Sequence, residues 1–148
     1  MKRSIISIPI IAFCIMVFCM MSSFITIPSA PTSKPITFDS GEPITIFGSI
    51  TGGVGSTYTG FVNLSGAINT SGTFVMPTEV LGMALHCIFS LTLPSGSITI
   101  RMNCNMVTFN GEWQILEGTG AYQNLKGGGS LVMPNDTDEI LTGTVREL

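Results

Sequence analysis

Few side chains in the 148-residue sequence are equipped for chemistry, and spacing decides what each could do. His86 is the single histidine. An imidazole works as a base where an acid orients it or a nucleophile needs it, and the sequence places neither beside it, so it is expected on the surface. Cys87 and Cys104 are the cysteines left once Cys14 and Cys19 are assigned to an apolar leader. A redox or metal-binding pair needs closer spacing or histidine partners. An even pair in an exported chain is instead expected to form a disulfide. Asn135-Asp136-Thr137-Asp138-Glu139 gathers oxygen ligands in one short stretch. It lacks the glycine and the distant glutamate of a calcium-binding loop, which favours a solvated turn and no metal. Asn63, Asn69 and Asn135 each begin an Asn-X-Ser/Thr acceptor sequon for glycosylation, with ordinary turn asparagines as the alternative.

The element that must position the cysteines is the stretch Leu85 to Met106. Folded as a hairpin about Ser95 and Gly96, it pairs Leu93 with Ile98, Leu91 with Ile100, Phe89 with Met102, Cys87 with Cys104 and Leu85 with Met106. One face is then apolar, and the other carries Thr92 and Thr99, Ser90 and Arg101, His86 and Asn105, as in a strand pair with one face buried. A three-residue loop would set Phe89 opposite Arg101, against that pattern. A four-residue loop, Pro94 to Ser97, keeps the match and leaves proline out of the ladder. Directly opposed cysteines are within disulfide reach, and the bond would stabilise the fold by roughly 3 kcal/mol.

At the start of the chain, Lys2 and Arg3 precede an uncharged apolar run from Ser4 to Ala30. It reads as an export signal, cleaved near Ala30 or retained as a membrane anchor over residues 4–30. Secreted or extracytoplasmic placement follows, with any membrane contact made through this segment. Beyond it remain about 118 residues, one domain's worth. They carry four basic side chains, Lys34, Arg101, Lys126 and Arg146, against nine carboxylates. No basic patch exists to hold a phosphate backbone, which excludes nucleic acid as a partner.

Residues 31–43 hold three prolines without alternation and read as an extended tail. Within 44–148, apolar alternation or turn-bounded runs mark Ile44 to Ile50, Tyr58 to Leu64, Thr73 to Met76, the two arms of the central hairpin, Trp113 to Leu116, Ser130 to Met133 and Ile140 to Arg146. Pro77 is expected to interrupt the third, and Gly52 to Ser56 to form a turn. About eight short strands with no helical period point to an all-β sandwich or barrel, and closure into a barrel would also remove exposed edges.

Gly111-Glu112-Trp113-Gln114-Ile115, then Gly118-Thr119-Gly120-Ala121-Tyr122, Leu125 and Gly127-Gly128-Gly129, form a strand, glycine turn, aromatic, glycine, strand sequence. This region resembles the small barrels of the dirigent and allene oxide cyclase type. Gly118 and Gly120 are expected to permit positive φ at the strand end, and Tyr122 and Leu125 to fold back as a plug beside Trp113. The stretch is no nucleotide loop: a dinucleotide fingerprint would need glycine at Gln123 and a following helix. The resemblance implies an antiparallel eight-stranded barrel, commonly oligomeric, that holds an apolar small molecule and uses no cofactor. In that family activity depends on polar residues placed in the cavity, and no match for them is found here.

The expected inward set (Leu85, Phe89, Leu91, Leu93, Ile98, Ile100, Met102, Met106, Trp113, Ile115, Leu131 and Met133) holds no carboxylate, histidine or arginine, whereas a catalyst needs a positioned acid, base or charge stabiliser. The sequence therefore favours a binder of a small apolar molecule over an enzyme, with no catalytic residue assigned and Tyr58, Trp113 and Tyr122 as candidate ligand contacts. A dirigent-like or cyclase-like guide for a cofactor-free reaction is the second expectation. An adhesive surface protein acting through its outer face is the third.

Overall fold

The computed structural model describes residues 41–148, so the leader and residues 31–40 of the expected tail lie outside the described residues. Eight strands, β1 (Glu42–Val54), β2 (Thr57–Gly66), β3 (Thr70–Leu81), β4 (Ala84–Leu93), β5 (Gly96–Asn105), β6 (Asn110–Gly118), β7 (Leu125–Val132) and β8 (Asp138–Glu147), run up and down in chain order. β1 pairs with β8, closing an antiparallel barrel. The period-2 alternation of each strand puts one apolar row inside, as in Ile44 and Ile46 of β1 or Phe89, Leu91 and Leu93 of β4.

Large interior side chains fit because glycines on neighbouring strands make room. A side chain at Gly60 would begin 2.7 Å from the Phe74 ring, and one at Gly143 would begin 2.8 Å from the Trp113 ring. The Trp113 indole Nε1 donates to the Thr142 carbonyl at 3.1 Å, so its one polar atom is satisfied inside the wall.

The central hairpin forms with a different register. Leu93 faces Gly96 across a two-residue turn, Cys87 faces Met102, Cys104 faces Leu85 and His86 faces Asn103. The expected direct opposition of Cys87 and Cys104 is therefore absent: the two lie diagonally on the inner face, and both are free thiols. A slip of two residues leaves every side chain on its original face, so alternation cannot separate the two registers. Contacts remote in sequence do. The Ser95 carbonyl accepts from Ala121 N–H and the Ser97 carbonyl from Thr119 N–H, both at 2.9 Å, which ties the tight turn to the short helix Gly120–Tyr122.

Other differences are local. β1 begins at Glu42 and continues through Gly53 and Val54 past an irregularity after Ile50, leaving only Gly55 and Ser56 as the turn. β3 runs on through Pro77, although Met76 and Pro77 drop out of the pairing with β4, as an absent N–H requires. Gly120 has the expected positive φ, but Gly118 does not. Gly118 is needed for space, because a side chain there would collide with the Tyr122 carbonyl.

Candidate functional site

The two ends of the barrel are built differently. At the end where β4 turns into β5 and β6 leads to β7, Tyr122 and Leu125 are buried together with Ile44, Leu93, Ile98 and Val145. The Tyr122 hydroxyl is pushed up from its ordinary pKa by burial, against a smaller lowering from its hydrogen bond with Ser95. This end is plugged.

At the other end, the β1–β2 turn, the β3–β4 turn and the chain between β5 and β6 expose Val54, Leu81, Met83, Val107 and Phe109. Inside that rim opens a cavity of about 300 Å³ with walls from Ile50, Met76, Leu85, Met106 and Met133. Leu85, Met106 and Met133, part of the expected inward set, are cavity wall, only partly covered or exposed. Phe109 stands at the rim with φ 54°, the only non-glycine residue among the described residues with positive φ. An aromatic residue held there costs on the order of 1–2 kcal/mol. Asn105 holds it: its carbonyl accepts from Phe109 N–H at 2.8 Å and its Oδ1 from Val107 N–H at 2.8 Å, while the Phe109 carbonyl accepts from Met133 N–H.

Polar groups also reach this cavity. Tyr58, Asp136 and Cys104 are part of its lining. One layer deeper is the interior carboxylate absent from the expected inward set. Glu139 is only 1 % exposed, and its Oε2 has no hydrogen-bond partner. It faces Gly48 on β1. Its Oε2 lies 3.2 Å, and the Phe89 ring 3.1 Å, from where a Gly48 side chain would begin, so the missing side chain gives the carboxyl its place in the barrel interior.

Burial holds the Glu139 carboxyl up to about 7. Cys87 is pushed up to about 12 by burial first, then by the charge of Glu139 and by Cys104. Cys104 moves up for the same two leading reasons, burial and then Glu139. Both thiols are therefore poor nucleophiles near neutral pH.

No family model and no curated protein matches the chain.

Of the candidate ligand contacts, the structure places Tyr58 in the open cavity, Trp113 in the packed wall and Tyr122 in the plug. They are not brought together. His86 lies half-buried on the outer face and hydrogen-bonds with Asn103 Oδ1 at 2.7 Å. Asn63, Asn69 and Asn135 are all exposed. Asn135 organises the β7–β8 loop, accepting at Oδ1 from Thr137 N–H and Asp138 N–H, each at 2.8 Å, and donating to Asp138 Oδ2. Among the described residues, no group of three His, Cys, Asp or Glu side chains is placed to hold a metal ion.

The run of polar residues around Glu139 predicts a loop, whereas the residue lies in β8. The signal for its true position was the alternation of Leu141 and Val145, which extends back to Glu139 on the same face of β8.

Proposed function

We propose that this protein is an exported barrel that binds a small apolar molecule in its open mouth. The observation that carries this reading is the cavity of about 300 Å³, walled by aliphatic and methionine side chains at one end of an otherwise filled barrel. The volume is at the lower end of the range for small-molecule sites. Methionines in the wall let it adapt to the occupant's shape. Export rests on Lys2, Arg3 and the apolar run after them.

The test uses N-phenyl-1-naphthylamine, a neutral dye that brightens in apolar surroundings. Saturable brightening at one site per chain is expected, lost on Leu85→Trp, which fills the cavity from its wall. A linear, unsaturable response from the unsubstituted protein would remove the proposal. A mass measurement on the protein recovered outside the producing cell tests export and shows whether the leader is removed.

A second reading, guidance of a cofactor-free reaction as in dirigent-like or cyclase-like proteins, is favoured by one feature. Tyr58 and Asp136 line the same cavity, so a hydroxyl and a carboxylate face one occupant. Conversion of a bound phenoxy radical or epoxide that is lost on Tyr58→Phe would support it. Binding without conversion leaves the first reading.

A further inference from the structure

The cavity lining contains one carboxylate, Asp136, and no lysine, arginine or histidine. A second, Glu139, is buried in the barrel interior next to that lining. β7 and β8 pair Val132 with Ile140, which brings Met133 to the level of Glu139, and Ile50 stands two residues mouthward of Gly48, the β1 partner of Glu139. Met133 and Ile50 both line the cavity, as does Cys104, whose thiol is close enough to feel the Glu139 charge. An unpartnered, fully buried carboxyl oxygen therefore belongs to a residue that neighbours the wall of an apolar, cation-free cavity.

We propose that the occupant of the mouth is an apolar amine, its ammonium paired with Glu139 and its hydrocarbon body against the methionine and leucine walls. This inference rests on the binding reading above and names the chemical class it takes. A buried carboxylate is costly while unpaired, and an ammonium that donates to it removes the larger part of that cost. A fatty acid or other anion would meet two carboxylates and no cation. Tyr58 and Phe109 add aromatic faces that attract a cation on its way in. Glu139 is not itself part of the lining, and Met133, level with it and both unbranched and adaptable, is a wall side chain able to shift as the ammonium reaches it.

The titratable groups that face Glu139 from the elements around it are Cys87 on β4 and Cys104 on β5, both held neutral, while β1 presents Gly48, β3 Phe74 and β7 leads into Met133. Amine binding at neutral pH then draws the proton from the Glu139 carboxyl and releases it to solvent.

Three probes of one shape, 1-naphthylmethylamine, 1-naphthylmethanol and 1-naphthoate, are titrated into the full-length protein by calorimetry at pH 8. The amine is expected to bind at least about tenfold tighter than the alcohol, with the naphthoate weakest, and Glu139→Gln to bring the amine within about twofold of the alcohol. In the unsubstituted protein the amine's advantage should shrink from pH 8 to pH 5. Near pH 6.5, in buffers of different ionisation enthalpy, amine binding should release protons and alcohol binding should not. These last two readouts need no variant. Equal affinities for amine and alcohol, or an advantage that survives Glu139→Gln, would overturn the inference while leaving the binding cavity intact. If none of the three probes binds, the cavity reading itself fails.

Discussion

The barrel's two ends are made from the same kind of strand and finish in opposite ways. At the plugged end the chain folds inward: Tyr122 is 3 % exposed, and the hairpin turn at Ser95 is hydrogen-bonded to the helix that carries it. At the open end the turns point outward, with Leu81 56 % and Val107 65 % exposed around a cavity. A barrel that only needed to be stable would have filled both ends, since apolar area left in water forgoes about 25 cal/mol per Å². The difference separates the part of the molecule that holds the fold from the part left available for a partner.

The strongest way to break that contrast is to empty the plug. Tyr122→Ala is expected to lower stability in urea by about 3–5 kcal/mol, the usual cost of removing a large buried aromatic. A loss below about 1 kcal/mol would mean that the plug does not carry the fold.

A second test concerns the carboxyl between the two ends. In the folded protein Glu139 keeps its proton up to about pH 7, whereas in the unfolded chain it is released near the ordinary value of 4.5. The folded state therefore binds more protons across that window, and stability falls as pH rises through it, by up to about 3 kcal/mol, with the loss complete above 7. Glu139→Met should abolish this slope and leave the variant more stable than the parent at pH 8. Urea denaturation at pH 5 and pH 8 reads both. An unchanged slope would place the carboxyl in water rather than in the barrel.

The plug's hydrogen bond is worth less than its packing. Tyr122→Phe removes the contact with Ser95 and should cost about 1 kcal/mol. At the open end, Leu81→Ser and Phe109→Ser should each change stability by less than about 0.5 kcal/mol, because exposed positions contribute little to the folded state. Together the two rim substitutions test whether that end is dispensable for folding.

How much of this was legible in the sequence follows the same division. Strand alternation gave the eight strands, the inner faces of β4 and β5, and an inside apolar enough for a barrel, because a period of two is written directly in residue order. The register of Cys87 and Cys104 was not legible. It depends on Ser95 and Ser97 meeting Thr119 and Ala121, more than 20 residues away, and a two-residue slip leaves the alternation intact. Glu139 was missed for a related reason. It stands one residue inside β8, beside Asp136 and Asp138, and composition there speaks for a loop. The space that admits it comes from Gly48, on a strand about ninety residues earlier. Tyr58, Trp113 and Tyr122 are all aromatic residues with polar atoms, and only their heights along the barrel axis, unknowable from residue type, assign one to the mouth, one to the wall and one to the plug.

The most direct measurement of the central claim, that one end of this barrel is a binding mouth and the other a plug, is methyl NMR during titration with 1-naphthylmethanol. With ¹³C-labelled methionine and leucine methyls, saturable shifts are expected at Leu85, Met106 and Met133, and none at Leu93 or Leu125. Shifts spread evenly over both ends, or confined to Leu93 and Leu125, would contradict it.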